Sequence, residues 1–257
     1  MGKTTNMLEK VVNDYYANNS PNLDEVKLYH YSILKELFDK SHSIFDDVNN
    51  LFVEIEWAIE DAPTSTYNYE YDQIVSVGEL LSTKIVSAFL EQEGFANKWI
   101  DARDIIRTDN TYRNARVDWD STKCNIAKYI SNSEVFLTQG FIGCTSENFT
   151  TTLGREGSDF TAAILGYATD AEEVTIWKDV DGMLNADPRY FGDAKLLNQL
   201  SFTEAIELAY FGAKVIHPKT IQPLKEKNIS LKIKSFLNPN NEGTIIFEDA
   251  EMKPFMP

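Results

Sequence analysis

Residues 151–167 read TTLGREGSDFTAAILGY, a glycine-rich stretch followed directly by small apolar residues. Residues 154–157 hold two glycines and two opposite charges, and the apolar run from Thr161 onward predicts a helix. Ser158 or Asp159 is the expected N-cap of that helix. Because such a loop presents unpaired N–H groups and the positive end of a helix dipole, we expect it to bind an anion.

The chain is acidic and long enough for a large core. It has 257 residues, of which 43% are hydrophobic, and 40 Asp and Glu against 24 Lys and Arg give a formal charge of −16. This length fits one large α/β domain. An overall negative field repels nucleic acid and anionic membranes, so neither is expected as a partner.

Cysteine content and hydropathy indicate a reducing compartment. Cys124 and Cys144 are too few for a disulfide framework and are expected as buried free thiols. We find no signal sequence and expect no apolar stretch to be long enough to span a bilayer. The expected location is the cytoplasm.

The first third of the sequence has helical periodicity. Apolar residues recur every three or four positions over the acidic segment 24–62, which predicts a helical lobe. Residues 62–69 form a predicted break, and a further helix is predicted over 72–93, ending at Gly94.

Beyond residue 95, short apolar runs alternate with helical stretches. Strands are predicted at 96–102, 135–143, 173–180 and 229–236, and helices at 121–130, 158–169 and 203–212. This alternation predicts an α/β fold with a largely parallel sheet, whose ligands bind beyond the carboxyl ends of the strands.

A second informative stretch is VTIWKDVDGMLNADPR, residues 174–189. The predicted strand ends in Lys178, Asp179, Asp181 and Gly182, where the charged side chains could contact a nucleotide or help to organise Mg²⁺. The alternative is that Asp-Gly and Asp-Pro simply form turns, and on these residues alone we favour that interpretation.

Two further stretches carry isolated charges. In AIELAYFGAKVIHP, residues 205–218, Lys214 either complements a helix dipole or stabilises charge on a transferring phosphoryl group. In VSVGELLS, residues 75–82, Glu79 is either a dipole partner or a ligand for a substrate ammonium. Arg155 is either a solvated loop residue or a carboxylate clamp.

Two other chemistries are disfavoured. MGKTT at the start lacks the first glycine and the preceding strand of a Walker A loop. The three histidines have no metal-ligand spacing, which argues against a transition-metal hydrolase.

Taken together, LGREGSDFTAA, WKDVDGMLNADPR, ELAYFGAKVIHP and VSVGELLS resemble the catalytic domain of aspartate kinases, members of the amino acid kinase fold. MGKTTN and NEGTII also resemble family segments, so the similarity covers nearly the whole chain. It implies a three-layer α/β/α sandwich with a largely parallel central sheet and a helical lobe near the N-terminus.

The resemblance also implies a reaction. Aspartate kinases transfer the γ-phosphoryl group of ATP to the side-chain carboxylate of L-aspartate, giving 4-phospho-L-aspartate for lysine, threonine and methionine synthesis. An attacking carboxylate is already ionised, so positioning and cations can carry most of the catalysis. Mg²⁺ is expected to bridge the ATP phosphates while keeping waters.

Position by position, the resemblance assigns the substrate contacts to Thr5, Glu79, Arg155 and Ser158. Glu79 would receive the α-ammonium, and Arg155 would clamp a substrate carboxylate.

The remaining assigned residues concern the nucleotide and the transferred group. Asp159 matches the carboxylate that orients catalytic lysines, and Lys214 matches a lysine that stabilises the transferring phosphoryl group. The implied nucleotide contacts are Gly157, Lys178, Asp179, Arg189 and Lys214.

The sequence departs from the family pattern at three positions and at its start. Glu156 stands where glycine is commoner, Lys178 where threonine is usual, and Leu184 where many members have an aromatic residue. No Lys-Phe-Gly-Gly loop precedes MGKTTN. We therefore expect residues 1–250 to be an N-terminally truncated kinase domain, inactive or nearly so alone.

The end of the chain and the assembly complete these expectations. Residues 251–257 look like the start of a connection to regulatory ACT domains, and the full-length protein is expected to be a homo-oligomer. Two alternatives stay open: a kinase for another acceptor such as glutamate or N-acetylglutamate, and a non-catalytic binding or assembly module.

Overall fold

The computed structural model describes residues 2–130, 134–211 and 215–248. The chain divides into two compact units, residues 1–157 and residues 158–257. The predicted domain over residues 1–250 spans both units.

The N-terminal unit is mainly helical. Its elements are α1 (Thr4–Tyr16), α2 (Asp24–Leu37), α3 (Ile44–Ala58), α4 (Tyr67–Val75), α5 (Val77–Gln92), β1 (Lys98–Ile100), α6 (Ala102–Ile105), α7 (Trp119–Tyr129), β2 (Phe136–Thr138), β3 (Ile142–Cys144) and β4 (Thr150–Thr152).

The C-terminal unit is built on a four-stranded sheet. Its elements are α8 (Gly157–Thr169), β5 (Glu173–Lys178), β6 (Gln199–Ser201), α9 (Phe202–Tyr210), α10 (Pro218–Glu226), β7 (Ser230–Ser235) and β8 (Thr244–Phe247).

The predicted helical lobe at 24–62 is confirmed as α2 and α3, which pack against each other. Leu34 on α2 and Val48, Phe52 and Ile55 on α3 are fully buried. Their spacing of three or four residues puts the apolar side chains of each helix on one face, and burial of that face stabilises the lobe.

The predicted helix over 72–93 is instead two helices, α4 and α5, which meet at Ser76. Helix α4 begins inside the stretch predicted as a break, because the Thr66 side chain accepts a hydrogen bond from Tyr69 N (3.4 Å) and caps it.

Contrary to the sequence expectation, the stretch Tyr67–Gln92 is long and apolar enough to cross a membrane by length and composition. Half of its most apolar window is buried inside the protein. A single helix of this kind is weak evidence for a span, because core helices of soluble proteins pass the same test.

The predicted α/β class is confirmed, but the strands described form three sheets rather than one. Strands β1 and β2 are parallel, β3 and β4 are antiparallel, and the third sheet has the order β5-β7-β8-β6. Of the five strand pairings described, three are parallel. The single strand predicted over 135–143 breaks in two because Phe141 adopts a positive φ of 76°.

In the C-terminal unit, the predicted strands at 173–180 and 229–236 are confirmed as the parallel pair β5 and β7, in register from Glu173 with Ser230 to Lys178 with Ser235. Helix α9 starts with a capping box between Ser201 and Glu204. The parallel pairing of β5 with β7 brings the carboxyl ends of these two strands together.

The two cysteines differ in exposure. Cys144 is buried as predicted, whereas Cys124 is exposed on α7. The expectation of two buried thiols is therefore wrong for Cys124.

Candidate active site

The glycine loop at 153–157 connects the buried strand β4 to helix α8. Gly154 has φ +81°, and a Cβ there would lie 2.8 Å from Asn114 Oδ1. A Cβ at Gly157 would lie 2.7 Å from Phe141 Cδ2. Both glycines are required sterically, because neighbouring atoms occupy the space of any side chain.

The structure corrects the predicted helix cap. Helix α8 begins at Gly157, so Ser158 and Asp159 lie in its first turn rather than at the N-cap. Glu156 precedes the helix with φ +54°, a backbone conformation that glycine adopts at least cost. The Oε2 atom of Glu156 is buried and accepts no hydrogen bond from the described residues. The departure from glycine at this position therefore introduces both backbone strain and a desolvated carboxylate oxygen.

Thr5 and Glu79 lie on contacting helix turns. A Cβ at Gly78, in the first turn of α5, would lie 3.1 Å from Thr4 Cγ2 on α1, so the N-terminal turns of the two helices approach closely. Glu79 is half-buried, and burial raises the pKa of its carboxyl group. A half-buried carboxylate at this place can accept hydrogen bonds from a cationic ligand.

Arg155 lies on the turn of the glycine loop and is exposed. Ser158 is also exposed. Their side chains are therefore accessible, and their contacts with a substrate stay predictions.

In the C-terminal unit, Lys178 and Asp159 form an ion pair. Lys178 Nζ lies 2.7 Å from Asp159 Oδ2, and the two side chains are only 20% and 15% exposed. Lys178 ends β5, while Asp159 is in the first turn of α8. The structure thus brings together a cation at the carboxyl end of a strand and a carboxylate at a helix N-terminus.

The segment after β5 behaves partly as a turn. Asp179 is exposed, and Asp181 accepts a hydrogen bond from Asn238 Nδ2 (3.2 Å). Arg189 makes a two-pronged contact with Asp187, with Nε 3.0 Å from Oδ1 and Nη2 2.6 Å from Oδ2. The guanidinium is thus held by its own turn, and its nucleotide contact stays a prediction.

Three residues that the sequence did not single out support these segments. Thr244 Oγ1 on β8 accepts from Met183 N (2.8 Å) and donates to Leu197 O (2.7 Å), which ties the two ends of the 183–197 loop to the sheet. Lys219 Nζ lies 4.5 Å from the centre of the Phe160 ring on α8. Burial lowers the pKa of the Lys219 ammonium group. Asp72 is a fully buried carboxylate on α4.

Lys214 falls outside the described residues. Within residues 2–130, 134–211 and 215–248, no group of three or more His, Cys, Asp or Glu side chains is placed to hold a metal ion.

Comparison with known proteins finds the same similarity along the whole chain. The amino acid kinase family profile matches residues 3–235. Lysine-sensitive aspartokinase 3 of Escherichia coli (strain K12) is 35% identical over 235 residues, which cover 90% of this chain and 52% of that protein. Bifunctional aspartokinase/homoserine dehydrogenase 1, chloroplastic, of Zea mays is 36% identical over 259 residues, 96% of this chain and 28% of that protein.

A solved structure is similar at the level of the fold. The crystal structure of E. coli aspartokinase III in complex with aspartate and ADP (R-state) superimposes with a TM-score of 0.87 at 32% identity, over 98% of this chain and 57% of that chain. The chain spans about half or less of the length of these relatives. Because the family profile covers most of the sequence and the fold agrees, the chain belongs to the amino acid kinase family.

Proposed function

We propose that the chain carries the catalytic machinery of an aspartate kinase, which transfers the γ-phosphoryl group of ATP to the side-chain carboxylate of L-aspartate. The product would be 4-phospho-L-aspartate, at the first step of lysine, threonine and methionine synthesis. The observation that carries the proposal is the shielded pair of Lys178 and Asp159, in a chain similar to an aspartokinase solved with aspartate and ADP.

The N-terminal unit would bind the amino acid through Thr5, Glu79 and Arg155. Glu79 offers a half-buried carboxylate whose pKa is raised by burial, and an α-ammonium placed beside it would offset that desolvation. Arg155 on the exposed turn would bind a substrate carboxylate through its planar fork of donors. Ser158, which is exposed in the first turn of α8, is a further proposed substrate contact.

The C-terminal unit would bind the nucleotide. Lys178 ends β5, Asp179 and Arg189 follow it, and Gly157 starts α8, whose N-terminal N–H groups favour an anion. Asp159 holds Lys178 in place through the ion pair, and Lys214 would add positive charge at the transferred group. No strong general base is required, because the attacking carboxylate is ionised at neutral pH.

Mg²⁺ fits this donor set as a companion of ATP. Asp179 and Asp181, which follow β5, would supply carboxylate oxygens, the ligands that Mg²⁺ prefers. Bound Mg²⁺ would neutralise part of the phosphate charge. A homo-oligomeric full-length protein and a cytoplasmic location are further proposals, although the Zea mays relative is chloroplastic by name.

The test is formation of acyl hydroxamate in the presence of ATP, Mg²⁺ and hydroxylamine. Aspartate, glutamate and N-acetylglutamate are each offered to the chain, and to the chain preceded by a strand and a Lys-Phe-Gly-Gly loop. Hydroxamate from aspartate in either form supports the proposal. Product from another acceptor only, or ligand binding without product in both forms, overturns it.

A matched pair of variants on α5 tests the ammonium contact. Glu79→Gln should raise the KM for aspartate about tenfold or more, because it removes a charged partner. Glu91→Gln, at an exposed position near the other end of the same helix, should leave it unchanged. Equal effects would remove Glu79 from the proposed site.

A further inference from the structure

Asp72 occupies a position that the proposed chemistry does not explain. It lies on α4, its side chain is 0% exposed, and its two oxygens accept three hydrogen bonds. Oδ2 accepts from Thr152 N (2.8 Å) and from Arg113 N (2.8 Å), and Oδ1 accepts from Thr152 Oγ1 (2.7 Å). A fully buried carboxylate is costly unless its partners are precisely placed.

The three donors belong to two segments that flank the glycine loop, one ending at Thr152 and one around Arg113. Thr152 is the last residue of β4, and Leu153 starts the loop. The segment around Arg113 packs directly against the loop: a Cβ built at Gly154 would lie 3.1 Å from Arg113 O. Ala115 N donates to Thr152 O (2.9 Å), so the segment around Arg113 is also bonded directly to the end of β4.

The neighbouring residue on α4 acts farther from the loop. Gln73 Oε1 accepts from Thr150 N (3.1 Å), and Gln73 Nε2 donates to Thr150 O (2.8 Å). Side chains of α4 therefore satisfy the edge of β4 that β3 does not pair. Between these two residues of α4, it is Asp72 that binds both the end of β4 and the segment around Arg113 beside Gly154.

We propose that Asp72 is a positioning residue that fixes the glycine loop by holding Thr152 and the Arg113 backbone at one carboxyl group. The role requires shape and hydrogen-bond acceptors rather than charge. Burial raises the pKa of Asp72 to about 6, so desolvation disfavours the charged form at this site. An asparagine could keep all three bonds, since its amide group can donate to the Thr152 hydroxyl, which also accepts.

The first test is hydrogen exchange of the backbone amides in the 257-residue chain, which requires no activity. Asp72→Ala should speed exchange at Thr152, Leu153 and Arg113 about tenfold or more, because it leaves buried donors unpaired. Asp72→Asn should leave exchange close to wild type. Gln73→Ala is the matched control and should speed exchange at Thr150 without affecting residues 153–157.

A milder variant covers the case in which Asp72→Ala does not fold. Thr152→Val removes the hydroxyl bond and keeps the backbone bond, so exchange at Leu153 should rise by about threefold. Unchanged exchange at Leu153 in Thr152→Val would overturn the proposal. So would an Asp72→Asn protein that behaves like Asp72→Ala.

The kinetic test rests on the proposed function. Asp72→Ala should raise the KM for aspartate by about tenfold or more with a smaller change in the KM for ATP, because the displaced loop carries Arg155. Asp72→Asn should restore the wild-type value, and Gln73→Ala should match wild type. Loss of kcat alone with unchanged KM would contradict the assignment. Absence of aspartyl hydroxamate in both the chain and its extended form would refute the proposed function and leave the exchange result standing.

Discussion

Lys178 Nζ lies 2.7 Å from Asp159 Oδ2, so an ion pair largely shielded from solvent joins the end of β5 to the first turn of α8. The exposed pair of Arg189 and Asp187 provides an internal comparison, since the Arg189 side chain is 73% exposed. Shielding from water makes the first pair the stronger electrostatic contact.

The shielded pair should therefore be coupled energetically. In a double-mutant cycle with Asp159→Asn and Lys178→Met, we expect a coupling free energy of unfolding of about 1 kcal/mol or more, measured in urea. Asp159→Asn should also lower kcat about 100-fold. Asp187→Asn should not change stability appreciably, and comparable losses of stability at both pairs would contradict this account.

A comparison of Gly154 with Gly94 separates two costs of replacing a glycine: the close contact at the glycine loop and the backbone strain. Their φ values are +81° and +84°, but nothing lies within 4 Å of a Cβ built at Gly94. Gly94→Ala should cost about 1 kcal/mol from strain alone. Gly154→Ala should cost at least about 1 kcal/mol more, because the new methyl group meets Asn114 and Arg113. Equal losses in urea unfolding would show that the loop is not tightly packed.

The elements that could be predicted are those with a local signal in the sequence, either apolar periodicity or turn residues. The helical lobe, strands β5 and β7 and the glycine loop were all predicted. Strand β4 was missed because three threonines carry no alternation of polar and apolar residues. The break at Phe141 was missed because a positive φ in a bulky residue is imposed by tertiary contacts.

The candidate site was also predicted only in part. Lys178 and Asp159 were predicted from the two stretches that carry them, but their direct pairing was not, because it depends on how α8 packs beside β5. Asp72 was missed because a single acidic residue in a helix is usually exposed. Its burial becomes visible only when Thr152, eighty residues later in the chain, is placed beside it.

The buried carboxyl group of Asp72 should make stability depend on pH. Burial raises its pKa from 3.8 to about 6, although hydrogen bonds from Arg113 and Thr152 oppose that shift. The folded state therefore holds the proton more tightly than the unfolded state, so this contribution is present below pH 3.8 and lost as pH rises through 6. Relative to Asp72→Asn, the wild type should lose about 2 kcal/mol between about pH 4 and pH 7. A pH-independent difference would contradict the raised pKa.

His30 should give a dependence of the opposite sign. Its ring is fully buried against Phe52, Nδ1 donates to Val26 O (2.8 Å), and Nε2 has no hydrogen-bond partner among the described residues. Burial lowers its pKa, so its stabilising contribution is present above its ordinary value of 6.5 and is lost as pH falls below it.

Urea unfolding as a function of pH measures this effect. Relative to His30→Leu, the wild type should become progressively less stable below about pH 6.5, because the unfolded chain takes up the proton first. His42, which is half-buried, provides the control in His42→Leu. A wild type that gains stability over His30→Leu on acidification would refute the lowered pKa.

The central claim is most directly tested by measuring aspartyl hydroxamate formed from ATP, Mg²⁺ and L-aspartate, with L-glutamate as the competing acceptor. The chain and its form extended by a strand and a Lys-Phe-Gly-Gly loop are assayed side by side, each with an Asp159→Asn counterpart. We predict hydroxamate from aspartate but not from glutamate, lowered about 100-fold by Asp159→Asn. Absence of aspartyl hydroxamate in both forms, or product that is insensitive to Asp159→Asn, would contradict the account.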